Sequence, residues 1–331
     1  MATAVESAFQ VDVESTGPSI GVVVCAYTED RWQDLELGVR ELIAQVGDRD
    51  SVIVVIDNNP ALLSRCQEHL AGPQVTVVAN GGPQGLSGAR NTGIGMCERD
   101  IVLFLDDDAF PLPGWIDSYR TRFASSQDVV AVGGAVEPRW EGGHAPRWFP
   151  QEFYWVVGCD YRGLPASGDE IRNPIGASMG IRRPVFEVIG TFNDEVGRVG
   201  ALPVGCEETE LCIRLRQEIP DIHIVRDTAP VVRHFVPKAR QNLRYFASRC
   251  FHEGRSKAAM TAVVGASDGL SAERSYVIKT LVAGIGNHLG AVLQGDLAGL
   301  SRAILLPTGL AITTYGYVTG QLRARRAKVT T

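Results

Sequence analysis

Four short apolar runs, each ending in polar residues, constrain this chain's fold more than any other feature. They are Ser19–Ala26 (SIGVVVCA), Val52–Ile56 (VIVVI), Val75–Ala79 (VTVVA) and Ile101–Leu105 (IVLFL). Each is strand-length and, unlike a half-exposed strand, largely apolar throughout, the pattern of strands buried on both faces. Between them lie stretches of helical periodicity: Trp32–Gln45 (Leu35, Val39, Leu42, Ile43), Leu62–Leu70, and about Leu86 to Glu98. Strand alternating with helix predicts an α/β fold with a parallel sheet covered on both faces. Ligands bind such sheets beyond the carboxyl ends of the strands. Tyr27, Thr28, Glu29, Asp57, Asn58, Asn80 and Asp106–Asp108 all fall at that edge. Any one of them could be a turn residue; together they predict a pocket.

Asp106, Asp107 and Asp108 follow the fourth run directly. Adjacent carboxylates repel, so a fold keeps three together only where a cation sits among them or water bathes them. In an extended chain, residues two apart point the same way. Asp106 and Asp108 can therefore face one ion while Asp107 turns elsewhere. Oxygen ligation favours Mg2+ or Mn2+.

The chain after Pro111 is less regular. Val129–Val136 reads as a strand. Residues 137–174 carry Trp140, Trp148, Phe149, Phe153, Tyr154, Trp155 and Tyr161, which either stack on sugar faces or pack a long loop onto the sheet. Asn173–Gly190 reads as a small-residue turn, a basic pair and a short helix. Glu207 and Glu208 precede a helical face made by Leu211, Cys212 and Leu215, where the helix dipole favours carboxylates. Val231–Pro237 places His234 after a short apolar strand.

With 331 residues, 45% hydrophobic and 21% charged, the chain has the balance of one or two globular domains. A net charge of -6 argues against nucleic-acid partners. Seven scattered cysteines without a CxxC point to reduced thiols in a cytoplasmic protein. The polar, acidic start lacks a signal-peptide pattern and reads as a loose arm over 1–18.

In order along the chain, VVVCAYTE, IDN (56–58), GLSGARNTG (85–93), FLDDDA (104–109), GASMGIRR (176–183), CEETELCIRL (206–215) and HFVP (234–237) resemble the family 2 glycosyltransferases. The resemblance runs from about Ser19 to Lys257. It implies the GT-A fold, a Rossmann-like, mostly parallel sheet flanked by helices, over 19–257. Residues 19–110 would be the nucleotide-binding half and 111–257 the acceptor and catalytic half, with a helical C-terminal extension over 258–331. It also implies a nucleotide-sugar donor, Mn2+ or Mg2+, and transfer with inversion at the anomeric carbon.

The resemblance assigns roles residue by residue. Ala26, Tyr27 and Glu29 would line the nucleotide pocket, and Asp57 would hydrogen-bond the base. Gly85, Arg90 and Asn91 would approach the nucleotide and diphosphate. Asp106 would contact the ribose or the metal, with Asp107 beside the donor, and Asp108 and His234 would ligate the metal. Inversion needs a single base. The matching position is Glu208, with Glu207 its neighbour; the family more often has Asp there, which leaves the choice within the pair open. QNLRY at 241–245 partly resembles the QxxRW of processive synthases, but no multi-span channel accompanies it, which favours single additions. A UDP-hexose is the default donor, GDP-mannose or a dTDP-deoxysugar the alternatives. The acceptor would be a saccharide, a lipid-linked precursor or a small metabolite.

Other classes fit less well. A HAD-type phosphatase usually has Thr or Val where this chain has Phe110, and a dehydrogenase would need GxGxxG where CAYTEDRW has no glycine. A non-catalytic sugar-binding protein on the same fold would tolerate loss of the metal and of Glu208.

Thr280–Gln294 and Ala303–Leu322 contain no Asp, Glu, Lys or Arg, and RARRAK follows. Twenty such residues just reach across a bilayer, but the proline, glycines and threonines favour an element lying on an anionic lipid surface through 276–331. That reading places the protein at the inner face of the cell membrane. The alternative is a pair of helices packed on the catalytic domain or on a second subunit in a homodimer.

Overall fold

The computed structural model describes residues 17–194, 206–264 and 276–329. The arm expected over 1–18 lies, apart from its last two residues, outside them. Of the described residues, those within Met1–Glu137, Pro165–Gly200 and Glu207–His234 form one compact unit. Those within Pro138–Leu164, Ala201–Cys206 and Phe235–Thr331 form a second.

The first unit is built on a sheet of eight strands, two of which run on past Glu137 and His234 into the second unit. They are β1 (Ile20–Ala26), β2 (Ser51–Ile56), β3 (Val75–Ala79), β4 (Ile101–Asp106), β5 (Ala109–Pro111), β6 (Val129–Trp140), β7 (Ser178–Arg182) and β8 (His223–Val236), in the order β3-β2-β1-β4-β7-β6-β8-β5. The four apolar runs pair in parallel, in register Ala26 to Ile56, Ile56 to Ala79 and Cys25 to Asp106. This register brings Tyr27, Asp57, Asn80 and the aspartates out at one edge, as expected for a pocket.

The sheet departs from all-parallel beyond β4. There β7 runs antiparallel to β4 (Leu105 to Ser178), β6 antiparallel to β7, and β5 antiparallel to β8. Only two residues separate β4 from β5, yet β4 pairs with β7 and β5 with β8. The segment read as a small-residue turn contains β7. Its small residues serve packing: a Cβ on Gly180 would stand 2.7 Å from Leu103 Cδ2. The Ser178 hydroxyl accepts the Trp115 indole N–H at 3.0 Å.

A single 3-10 turn (Glu29–Arg31) leads into α1 (Trp32–Ile43), followed by α2 (Pro60–His69), α3 (Leu86–Met96), α4 (Trp115–Ser125), α5 (Arg183–Ile189) and α6 (Glu207–Glu218). Asn59 caps α2 by accepting the Leu62 N–H, with Pro60 in the first turn. Val23, Val55, Phe104, Met179, Leu211 and Leu215 meet in one buried cluster that joins β-strands to α6.

The second unit is mainly helical: α7 (Leu243–Val264), α8 (Val282–Leu293) and α9 (Ala298–Val329). Its helices therefore begin upstream of residue 258. Helices α7 and α9 pack closely enough that a Cβ on Gly254 would lie 2.0 Å from the Thr313 carbonyl oxygen, and one on Gly316 2.1 Å from that of Phe251. Trp140, Trp148, Phe149, Phe153 and Tyr154 pack on one another and on Phe246 of α7. These rings thus pack on one another within the second unit, with Phe149 and Phe153 buried and Trp140, Trp148 and Tyr154 partly exposed.

Candidate functional site

The site begins where β4 ends. Asp106 is the last residue of β4, and β5 resumes at Ala109 after a two-residue turn. The β5–β8 register sets Ala109 opposite His234. As a result His234 Nε2 lies 2.9 Å from Asp108 Oδ1, with both side chains buried. One donor atom each from Asp106, Asp108 and His234 lie within 4.8 Å of one another. Two carboxylates and an imidazole suit a divalent cation such as Mn2+, which accepts oxygen with a nitrogen ligand. The run thus forms a DxD-like site with a histidine brought from a strand over a hundred residues away.

Asp107 takes a different partner. Its Oδ1 lies 2.6 Å from Arg31 Nη1, and the same nitrogen is 3.3 Å from Asp108 Oδ2. Burial pushes the Asp107 carboxyl up to about 7, helped by Asp108 and opposed by Arg31. Asp107 and Asp108 lie in a turn, so strand alternation does not set Asp107 apart, and its carboxylate engages Arg31. Arg31 went unnoticed in the sequence. The available signal was that a middle aspartate turned inward needs a cation, and the nearest arginine sits at the same sheet edge, just after β1.

Arg90 on α3 is 2% exposed although charged. Its Nη1 lies 2.9 Å from Glu208 Oε1 and 3.5 Å from Glu207 Oε1, and its Nη2 is 3.7 Å from Asp106 Oδ1. Burial works against the guanidinium charge, but these carboxylates outweigh it and hold Arg90 protonated. Its plane also meets Phe192 at 5.3 Å and Phe104 at 5.8 Å. Arg90 thus joins the metal-type cluster to the acidic pair.

Gly176 lies directly behind that pair. A Cβ on Gly176 would stand 2.1 Å from Glu208 Oε1 and 2.4 Å from Arg90 Nη2. Within the pair Glu207 is buried, whereas the Glu208 side chain keeps 16% exposure. The chain enters α6 through Cys206 at φ +91°, a left-handed conformation that costs a non-glycine residue strain.

At the nucleotide edge, Ala26 closes β1 as a buried residue, while Tyr27 and Glu29 are exposed. Glu29 lies 3.7 Å from Arg65. Asp57 accepts from Asn80 Nδ2 at 2.8 Å and from the Gly85 N–H at 3.0 Å, so it fastens the loop between them. Gly85 has φ +124°, open to glycine alone at little cost. Asn91 stands apart from this group. Its amide oxygen accepts the Phe192 N–H and its Nδ2 donates to the Phe192 carbonyl, both at 2.9 Å, which braces that loop.

Comparison with known proteins gives a consistent set of relatives. The Glycosyl transferase family 2 model matches residues 21–190. The glucosyl-dolichyl phosphate glucuronosyltransferase of Haloferax volcanii is 30% identical over 306 residues, 92% of this chain and 96% of that protein. The pre-mycofactocin glycosyltransferase of Mycobacterium tuberculosis is 31% identical over 87 residues, 26% of this chain and 18% of that protein. Among solved structures, a mannosyltransferase from Pyrobaculum calidifontis in complex with GDP-Man and Mn2+ aligns with a TM-score of 0.60 at 18% identity, covering 97% of this chain and 93% of that one. GalNAc-T7 with UDP, GalNAc and Mn2+ aligns at 0.53 and 14% identity, covering 80% and 54%.

Proposed function

Because the chain belongs to glycosyl transferase family 2 and has the GT-A fold, we propose that it transfers one sugar at a time, with inversion, from a nucleotide-sugar to an acceptor hydroxyl, with a divalent cation. The observation that carries this reading is the convergence of Asp106, Asp108 and His234, linked through Arg90 to Glu208.

Asp106, Asp108 and His234 would hold Mn2+ or Mg2+, whose charge would offset that of a diphosphate leaving group. The chain's own groups supply the rest. Tyr27, Asp57 and Gly85 border the place for the nucleotide. Glu208 takes the acceptor proton as the hydroxyl attacks, so a single displacement inverts the anomeric carbon. Glu208 suits that role better than Glu207 because it is the member of the pair with exposure left for an acceptor. Arg90 orients its carboxylate, and Gly176 leaves room for it.

The donor is a UDP-hexose, with UDP-glucuronic acid included because the Haloferax relative is named a glucuronosyltransferase. The acceptor is a saccharide on a lipid phosphate, supported by the same relative, which acts by its name on glucosyl-dolichyl phosphate and matches nearly end to end. Such an acceptor would place the enzyme at the cytoplasmic face of a membrane.

The test pairs UDP-glucose, UDP-glucuronic acid, GDP-mannose and dTDP-glucose with a short-chain glucosyl polyprenyl phosphate and Mn2+. A product whose new linkage has the opposite anomeric configuration to the donor, read by NMR, is expected. A retained configuration would overturn the single-displacement mechanism, and no transfer from any donor would overturn the acceptor class.

A further inference from the structure

Helix α9 is apolar on two opposite sides. One side packs on α7 through Gly316 and Gly320. On the other, Leu300, Ile304, Tyr315, Val318 and Leu322 are exposed, with Pro307 and Ala311 exposed between them. These positions recur every three or four residues and so form one stripe along the helix. At the turn from α8, Leu293 and Leu297 are 91% and 76% exposed. An exposed apolar face of this length is uncommon on a protein surface that meets only water.

The polar groups along the stripe are already satisfied. The hydroxyls of Thr308, Thr313, Thr314 and Thr319 donate to the carbonyls of Ile304, Gly309, Leu310 and Tyr315, at 2.8 to 3.0 Å. A threonine bonded back to its own helix needs no water. Asp296 at the turn is matched by Arg302 at 2.6 Å and Arg147 at 3.1 Å.

The hairpin of α8 and α9 is also anchored. Fully buried Glu152 bonds His288 Nε2 at 3.1 Å, and Arg302 Nε donates to His288 Nδ1 at 3.2 Å. The exposed leucines are therefore held on a built element.

Charge decides what covers the stripe. From Leu297 to the end the sequence has four arginines and one lysine, and no acid. All but Arg302 lie in RARRAK, directly after the stripe. No described helix is long and apolar enough to cross a membrane. A second copy packed in parallel on the same face would set these like charges near one another, whereas anionic headgroups complement them.

We propose that the outer face of the α8–α9 hairpin lies on an anionic bilayer, with Leu293, Leu297, Leu300 and Ile304 in the interface and the basic segment 323–328 at the headgroups. The inference deepens the lipid-linked acceptor reading by naming the surface that would keep the enzyme beside such a substrate. Its test uses no donor or acceptor, so its failure is separate from failure of that reading.

The experiment is flotation of the full chain with phosphatidylcholine vesicles, with and without phosphatidylglycerol. Expected is flotation with the anionic vesicles only, at least tenfold reduced by high salt and by Leu293→Glu/Leu297→Glu/Ile304→Glu. Arg325→Gln/Arg326→Gln should weaken it without touching the apolar face. Circular dichroism melting establishes that each variant is folded. Absence of flotation by the wild type, or flotation that folded glutamate variants retain, would overturn the proposal. So would a homodimer in light scattering that the glutamate variants dissociate.

Discussion

The guanidinium of Arg90 reaches the Glu208 carboxylate at 2.9 Å from inside the first unit, where the arginine is 2% exposed. The same group lies 3.5 Å from Glu207 and 3.7 Å from Asp106. A residue of α3 thus ties the end of β4 to the start of α6. Removing it takes away a buried cation that three carboxylates share, and breaking a buried pair costs about 3–5 kcal/mol. Arg90→Ala is expected to lose stability of that order in urea unfolding, and Arg90→Lys less. A loss within about 0.5 kcal/mol, the range of ordinary surface substitutions, would contradict the role given to Arg90.

Gly176 offers a finer probe of the same contact. A methyl group there would overlap Glu208 Oε1 and Arg90 Nη2. Gly176→Ala is expected to push the Glu208 carboxylate aside and to lower kcat more than it raises the donor KM, because it displaces the base and not the nucleotide edge. Steady-state kinetics with donor varied would check this; a change in donor KM alone would place Gly176 in donor binding.

The cation cluster predicts a selective loss. Asp108→Asn and His234→Ala should each weaken Mn2+ binding, measured by calorimetry, by about tenfold or more. EDTA should remove the activity, and added Mn2+ restore it. Undiminished Mn2+ affinity in both variants would mean that the ion binds elsewhere.

Arg31 and Asp107 should behave as a unit. Removing Arg31 strands a buried carboxylate 2.6 Å away, and Asp107→Asn should relieve part of that loss. Residues in direct contact commonly show coupling of about 0.5–3 kcal/mol. Additive effects in the double variant, measured by denaturant unfolding, would show that the pair is not coupled.

The sheet edge that carries the aspartates is legible in the sequence, because its residues sit at positions local pattern fixes. Apolar runs gave the four parallel strands, and their polar ends gave the shared edge holding Asp57 and Asp106. The antiparallel half was harder to read. Strand β7 is disguised by Ser178 and Gly180, which are small because Trp115, Tyr119 and Leu103 crowd them. The partners of Arg90 and Asp107 come from distant segments, so charge alone could not choose between a diphosphate and a carboxylate for Arg90. Asn91, next in sequence to Arg90, turns to Phe192 because successive helical residues face different ways.

The most direct test of the account compares Glu208→Gln with Glu207→Gln under saturating UDP-sugar and Mn2+. Nucleotide binding by calorimetry and nucleotide release with acceptor present are both followed. Glu208→Gln is expected to bind UDP normally but to release it about 10²–10⁴-fold more slowly, the usual worth of a general base, while Glu207→Gln loses stability first. Wild-type turnover in folded Glu208→Gln would contradict the assignment of the base.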